Sequence, residues 1–290
     1  MSHDGSISDA KTPRGGLVEA VADWVADLGD VVIDSLEGLG DVALFAFRTF
    51  LWLTTRMARR ETLIPSFYQI GVLSLPVVAL TGIFIGIILA VETSAEFRMM
   101  HMESRLGAVI NLSLVSELGP VLAATMLAGR VGSAMAAELG TMRVTEQIDA
   151  LASMGANPIH YLVVPRFLGC LLLIPALTIM ADFMGIVGGA VYSIYVLHID
   201  LHFYLIHSQH YVHSFDLFAG VFKSLFFGGA IALISCYHGF HCDPGAEGVG
   251  RAATTAFVYS FVVILMLDVV LAIGLGKVFL IFWPGGRKLM

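Results

Sequence analysis

From Ile70 to Val91 the chain runs 22 residues without one ionisable side chain. At about 1.5 Å per residue, a helix of that length crosses a hydrocarbon core of about 30 Å. Lipid offers backbone groups no hydrogen bonds, so a segment that crosses it must satisfy its own, as a helix does. Four more apolar stretches follow, at about residues 106–137, 167–196, 217–240 and 252–282. Isolated charges interrupt them: Glu117 and Arg130, then Asp182, then Lys223, then Asp268 and Lys277. The length of the third predicts a tilt or a bend near Pro175. With 57% hydrophobic and 13% charged residues, and a mean hydropathy of +0.84, the chain has too little polar surface for a water-soluble exterior. The expected fold is an all-α integral membrane protein with about five transmembrane helices.

The segment ahead of the spans has a different character. Residues 1–41 hold nine acidic and two basic side chains, which accounts for the whole net charge of −7; the other 249 residues balance at 14 and 14. Nothing here favours nucleic acid, which calls for basic patches. Residues 1–16 are polar and carry Gly5, Pro13, Gly15 and Gly16, and are expected to form a disordered tail. Residues 17–64 are expected to be amphipathic and interfacial helices. Leu17, Val21, Trp24, Leu28 and Val31 recur at helical spacing, with Asp23, Asp27, Asp30, Asp34, Glu37 and Asp41 on another face. That acidic face is either a solvated surface or a docking surface. Residues 42–53 are largely apolar and lead to Arg56, Arg59 and Arg60, which suits a helix at cytoplasmic headgroups. The first 30 residues lack the basic and apolar regions of a signal peptide. Residues 65–290 form the membrane domain.

Orientation follows from Lys and Arg in short loops. Arg48, Arg56, Arg59 and Arg60, Arg143 and Arg166, and Arg251 fall on one side, which places the N-terminus in the cytoplasm. Arg287 and Lys288 then lie outside, against the rule. No internal repeat is evident, which weighs against an inverted-repeat carrier.

The densest signal lies in residues 116–158. Its first half is crowded with small residues, among them Ala123, Ala124, Ala128, Gly129, Gly132, Ala136 and Ala137, which let membrane helices approach closely. Its second half turns polar at Glu138; Thr141 is read as the N-cap of a short helix over 141–155. On the Arg-rich side, such a helix is a place for a cytoplasmic motor to grip.

The strings ELGPVLAATMLAGRVGSAMAAELGTMRVTEQIDAL, NPIHYLVVPRF, KSLFFGGAIALISCYHGF, GVGRAATTAFVYS and LDVVLA resemble the MlaE-type permeases, ABC permeases of bacterial and plastid systems that move phospholipids between membranes. The resemblance covers about residues 45–280; the acidic helix and residues 197–216 match far less. It implies a homodimer in the bacterial inner membrane, with 141–155 as the coupling helix that meets a separate ABC ATPase. It also implies an MCE-domain lipid-binding protein, a STAS-domain protein on the ATPase, and a phospholipid cavity between the subunits. The chain has no G-x-x-x-x-G-K-[ST] pattern, so ATP and its magnesium are expected on the partner, with no cofactor and no catalytic residue on this chain.

Each intramembrane charge is a site candidate. Glu117 and Lys223 match charged family positions and are the lipid-cavity candidates, against a purely structural ion pair. Where relatives often carry Arg before the Glu, this chain has Ser116. Arg130 is expected to be structural, bonding carbonyls or Glu138; Asp182 and Asp268 are expected to be satisfied by neighbouring helices. Glu138, Arg143, Glu146 and Gln147 are the coupling candidates. His198, His202, His207, His210 and His213 are read as polar loop residues. Cys236, His238, His241, Cys242 and Asp243 fit no standard zinc spacing, so no metal is expected. Two alternatives remain at this point: an ion-coupled carrier using Glu117, Asp182 and Asp268, and an intramembrane lipid-modifying enzyme.

Overall fold

The long apolar runs are helices in the computed structural model, which describes residues 17–55, 60–100 and 105–282. The tail at 1–16, Arg56, Arg59, Arg287 and Lys288 lie outside the described residues. Among those described there is no strand. Five stretches are long and apolar enough to cross a membrane: Glu61–Met99, Leu106–Val144, Ile159–Tyr195, Ser214–Phe240 and Ala246–Val278. These are spans one to five, and the chain is a multi-pass membrane protein.

The N-terminal helix α1 is continuous over Leu17–Thr55, so the expected pair of helices is one element; Gly29, Gly38 and Gly40 are accommodated within it. The chain divides into two units, Met1–Leu44 and Phe45–Met290. In the second, Phe45 packs edge-on against Tyr237 and Phe240, Phe50 meets Phe167, and Trp52 meets His160.

Span one comprises α2 (Arg60–Phe67), a π-turn at Tyr68–Val72 and α3 (Leu75–Met99). Span two is the most segmented. Helices α4 (Leu106–Ser113), α5 (Gly119–Leu127) and α6 (Ser133–Val144) are joined by π-turns at Leu114–Leu118 and Ala128–Gly132. A short helix α7 (Gln147–Ser153) and a π-turn at Ile159–Val163 lead into α8 (Val164–Tyr195). Pro175 sits within α8 without ending it. Then come α9 (Leu201–Tyr211), α10 (Ser214–Phe240) and α11 (Ala246–Phe282).

Span two is the axis of the bundle. Ala123, Ala124, Leu127, Ala128, Val131 and Met135 meet Phe167, Cys170, Ile174 and Leu177 of α8, Phe227, Ile231 and Ala232 of α10, and Ile264 of α11. Within the 18-residue apolar stretch of each span, 56% of residues are buried in spans two and four, against 22% in span one and 17% in span five. The outer two spans therefore present most of their apolar surface to lipid or to another chain.

Residues 197–216 were expected to be a loop but hold α9. Asp200 caps it, accepting from the His202 N–H at 2.7 Å. Tyr204 and Ser208, one turn apart, form its buried face. Asn111 of α4 donates to Ser208 Oγ (2.9 Å) and accepts from Tyr204 OH (3.2 Å). Gly107 leaves room for the Tyr204 ring, which would lie 2.5 Å from an added Cβ. Burial raises the Tyr204 pKa against the smaller, lowering effect of its Asn111 hydrogen bond, so it stays a donor. Asn111→Leu strands both partners and is expected to destabilise the chain by about 1–3 kcal/mol. Tyr204→Phe should cost about 1 kcal/mol; equal thermal midpoints for both variants and the parent in detergent would show that the brace holds nothing.

Candidate functional site

Three of the span charges, Glu117, Lys223 and Asp268, meet in one cluster. Lys223 sits on the inward face of α10 beside Ala219, Gly220, Ser224 and Phe227 and is 1% exposed. Its ammonium donates to Glu117 Oε2 of span two at 2.5 Å and to the Ser116 carbonyl at 3.3 Å. Pro120 has no N–H to offer the carbonyl four residues before it, and that carbonyl is the one Lys223 uses. The third neighbour is Asp268 of α11, with Oδ1 at 3.1 Å in ion-pair contact but without hydrogen-bond alignment.

The cluster is buried at its cation and open mainly at Glu117. The Glu117 side chain is 50% exposed and that of Asp268 21%. Two carboxylates about one ammonium leave a formal charge of −1, turned toward the accessible side. A π-turn carries Glu117 out of line with the helices on either side of it. The sequence paired Glu117 with Lys223 but left Asp268 among the structural charges. Depth was the available signal: Lys223 lies nine residues from Ser214, and Asp268 ten residues from Val278, at the same side of their spans.

The other charges depart from expectation. Arg130 bonds neither carbonyls nor Glu138: its Nη1 donates to Ser74 Oγ at 2.5 Å, across to span one. Glu138 instead meets Arg166 at the start of α8 at 3.0 Å, two side chains reaching across between helices whose backbones do not pack closely. Arg166 is buried, and its Nη1 has no hydrogen-bond partner. Asp182 is not satisfied as expected. Its Oδ1 is buried without a hydrogen bond, pressed against Gly119, where an added Cβ would come within 1.7 Å of it.

At the opposite end of span two, α6 runs on to Val144. Thr141 therefore caps nothing; its hydroxyl donates back to the Ala137 carbonyl at 2.8 Å. The short helix begins at Gln147, with Glu146 before it at φ 59°, a left-handed conformation rare outside glycine. Ile148 and Leu151 of α7 pack into a cluster with Leu139, Leu162, Val163, Cys236 and Phe45. Gln147, Ala150 and Met154 face outward, Met154 being 74% exposed. Arg143 and Asp149 pair across the turn at 2.7 Å, an exposed bridge worth little in itself. So α7 is seated on the bundle by its apolar side and shows a mixed face outward. Of the histidines where span four ends and span five begins, His238 stacks on Tyr259 and His241 Nδ1 lies 2.9 Å from the Tyr237 carbonyl.

Comparison with known proteins agrees with this architecture. Residues 63–273 match the family model described as permease MlaE. A probable ABC transporter permease protein of Rickettsia felis is 40% identical over 239 residues, 82% of this chain and 92% of that one. A probable ABC transporter permease protein of Synechocystis is 43% identical over 214 residues, 74% and 81% of the two chains. The intermembrane phospholipid transport system permease protein MlaE of Haemophilus influenzae is 32% identical over 252 residues, 87% and 97%. With the match spanning all but the ends of the membrane body, the chain belongs to the MlaE permease family.

Proposed function

We propose that this chain is the membrane subunit of an ATP-driven transporter that moves phospholipids between the inner and outer membranes. The observation that carries the reading is the Lys223, Glu117 and Asp268 cluster. A bundle that only held itself together would gain nothing from it, since replacing a buried ion pair by apolar residues is often neutral or stabilising. A zwitterionic headgroup suits the arrangement. Its phosphate meets the Lys223 ammonium as Glu117 turns away, and its amine meets the freed carboxylates. The name of the Haemophilus relative supports the substrate class.

ATP hydrolysis belongs to a separate ABC ATPase, which grips the chain at α7 with Glu146, Gln147 and Arg143. Closure of that partner pushes α7. The apolar cluster under Ile148 and Leu151 passes the push to the inner ends of spans two, three and four, with the Glu138–Arg166 bridge keeping α6 and α8 together. Span two, hinged at its π-turns, carries the displacement to Glu117. The exposed faces of spans one and five take a second copy of the chain. An MCE-domain protein receives or delivers the lipid outside, and a STAS-domain protein joins the ATPase. On this reading the chain lies in a bacterial inner membrane with its N-terminus in the cytoplasm.

Native mass spectrometry of the tagged chain, gently extracted from its own membrane, tests the assembly. A mass fitting two permeases, two ATPases and an MCE ring is the expected result. A chain reproducibly free of any nucleotide-binding partner, or transport surviving in energised vesicles without ATP, would overturn it. On the motor side, Glu146→Ala with Gln147→Ala is expected to lower co-purified ATPase by about tenfold, the equivalent of about 1.4 kcal/mol. Membrane insertion should be unchanged; full recovery of the ATPase would remove both residues from the interface.

A further inference from the structure

Asp182 is an intramembrane carboxyl that the proposed mechanism leaves unused. It lies in the body of α8, is 4% exposed, and its Oδ1 has no hydrogen bond. No cation among the described residues stands within ion-pair reach of it. Thr178, one turn earlier on α8, gives its hydroxyl to the Ile174 carbonyl. The neighbouring helices bring few ionisable side chains to this level. From α3 there is none before Glu92, and from span two there is Glu117. From α10 there are Asp216, which accepts from the His213 N–H, and Lys223, held by Glu117 and Asp268. A carboxylate kept ionised here would carry the full cost of an isolated buried charge, and a group so placed takes up a proton instead.

Asp182 meets span two at the first π-turn, the one that carries Glu117. Any side chain added at Gly119 would run into Asp182 Oδ1, and the same Cβ would stand 2.7 Å from the Leu114 carbonyl oxygen. The two oxygens are therefore neighbours over Gly119. Gly185 brings the same face of α8 onto Leu114, whose Cδ1 would lie 2.9 Å from an added Cβ. The Leu114 carbonyl accepts the Gly119 N–H, the bond that closes the π-turn. A carbonyl oxygen has a second lone pair to offer. Two bare acceptors side by side repel one another, whereas a proton on the carboxyl joins them. We infer that Asp182 is a proton-binding, positioning residue: as the neutral acid it donates to the Leu114 carbonyl and holds the π-turn that places Glu117 beside Lys223. Glu117 lies within that turn, so relaxation to α-helical geometry would remove one residue from it and swing the carboxylate round the helix. The role given to Glu117 rests on the phospholipid-permease reading; the protonated state of Asp182 does not.

The test uses the full chain with its co-purified partners in nanodiscs. The infrared difference between the parent and Asp182→Asn at neutral pH is expected to show the carbonyl band of a protonated carboxyl, shifted in heavy water and absent from the variant. Carboxylate bands in its place would overturn the inference. Asparagine keeps a donor for the Leu114 carbonyl and nearly the volume, whereas leucine keeps the volume alone. ATP-driven lipid transfer should stay within about twofold of the parent in Asp182→Asn and fall about tenfold or more in Asp182→Leu. In a Glu117→Gln background the leucine change should cost little more, because a residue that acts through Glu117 then has nothing left to place. Parent-rate transfer in Asp182→Leu, or the same full loss in both backgrounds, would overturn the positioning role. Should Asp182→Leu fail to fold, the pH profile decides. The acid is present at low pH and lost as pH rises, so transfer by the parent should drop on the alkaline side and that by Asp182→Asn should not. Parallel profiles would overturn the inference. Parent-rate transfer in Glu117→Gln alone would sink the headgroup reading instead, and the infrared band would still judge the carboxyl.

Discussion

Gly86→Ala is expected to unseat span one from span three. Gly82 and Gly86 lie one turn apart on α3, facing Ala181, Gly185 and Gly189 on α8, while Gly188 of α8 meets the Ile83 backbone between them. A Cβ at Gly86 would stand 1.9 Å from the Gly185 carbonyl oxygen and 2.9 Å from the Gly189 nitrogen; one at Gly82 would stand 2.5 Å from the Ala181 oxygen. The obstruction is backbone in every case, so no rotamer change relieves it and the helices must separate. Separation forfeits dispersion along the interface, and in lipid dispersion is most of what holds helices together. Ordinary overpacking costs about 1–3 kcal/mol; with two backbones in contact the cost here should be about 3 kcal/mol or more. Helix propensity alone predicts the opposite sign, since alanine is favoured over glycine by about 1 kcal/mol. Gly274→Ala and Gly276→Ala supply the control, because nothing lies within 4 Å of either site. Both should match or exceed the parent in a detergent heat ramp followed by size-exclusion chromatography, while Gly86→Ala elutes early or aggregates. An intact Gly86→Ala would show that the α3–α8 contact is slack.

Elements set by the bilayer were legible in the sequence. Membrane thickness dictates helix length, so the uncharged run at 70–91 and its four successors coincide with the observed spans to within a few residues at their C-terminal ends. Partners within those spans were less legible, and the π-turns give a physical reason. Each adds a residue to a turn, so a helical wheel drawn from Glu117 through two such turns no longer reports where Arg130 or Glu138 points. Glu138 pairs with Arg166, 28 positions away in another span, a relation that no local periodicity carries. The reading of Thr141 as a cap assumed that polar composition ends a helix. Leu139 and Met142 keep α6 seated on the inner cluster through Val144. Residues 198–213 looked like a loop because of their histidines, whereas Asp200, Tyr204 and Ser208 give that stretch a cap and a buried face.

Lys223→Met is expected to fail twice, in stability and in transport, and a second variant separates the two. With the ammonium gone, Glu117 and Asp268 face one another and the Ser116 carbonyl loses its donor. Breaking a buried pair by removing one partner costs about 3–5 kcal/mol, mainly because the remaining charges stay uncompensated. A large fall in folded protein is therefore expected whether the cluster binds lipid or only joins spans two, four and five. Adding Glu117→Gln and Asp268→Asn to Lys223→Met removes the uncompensated charge while nearly keeping volume. That triple variant should recover much of the parent's yield and thermal midpoint, as neutral replacements of buried ion networks often do. Lipid transfer by the assembled complex with ATP then decides the role. A headgroup station needs the charges themselves, so the triple variant should fold, hold its ATPase and move lipid at least tenfold more slowly than the parent. A structural clasp needs only the packing, and a triple variant that transports at the parent's rate would return Glu117, Lys223 and Asp268 to that role.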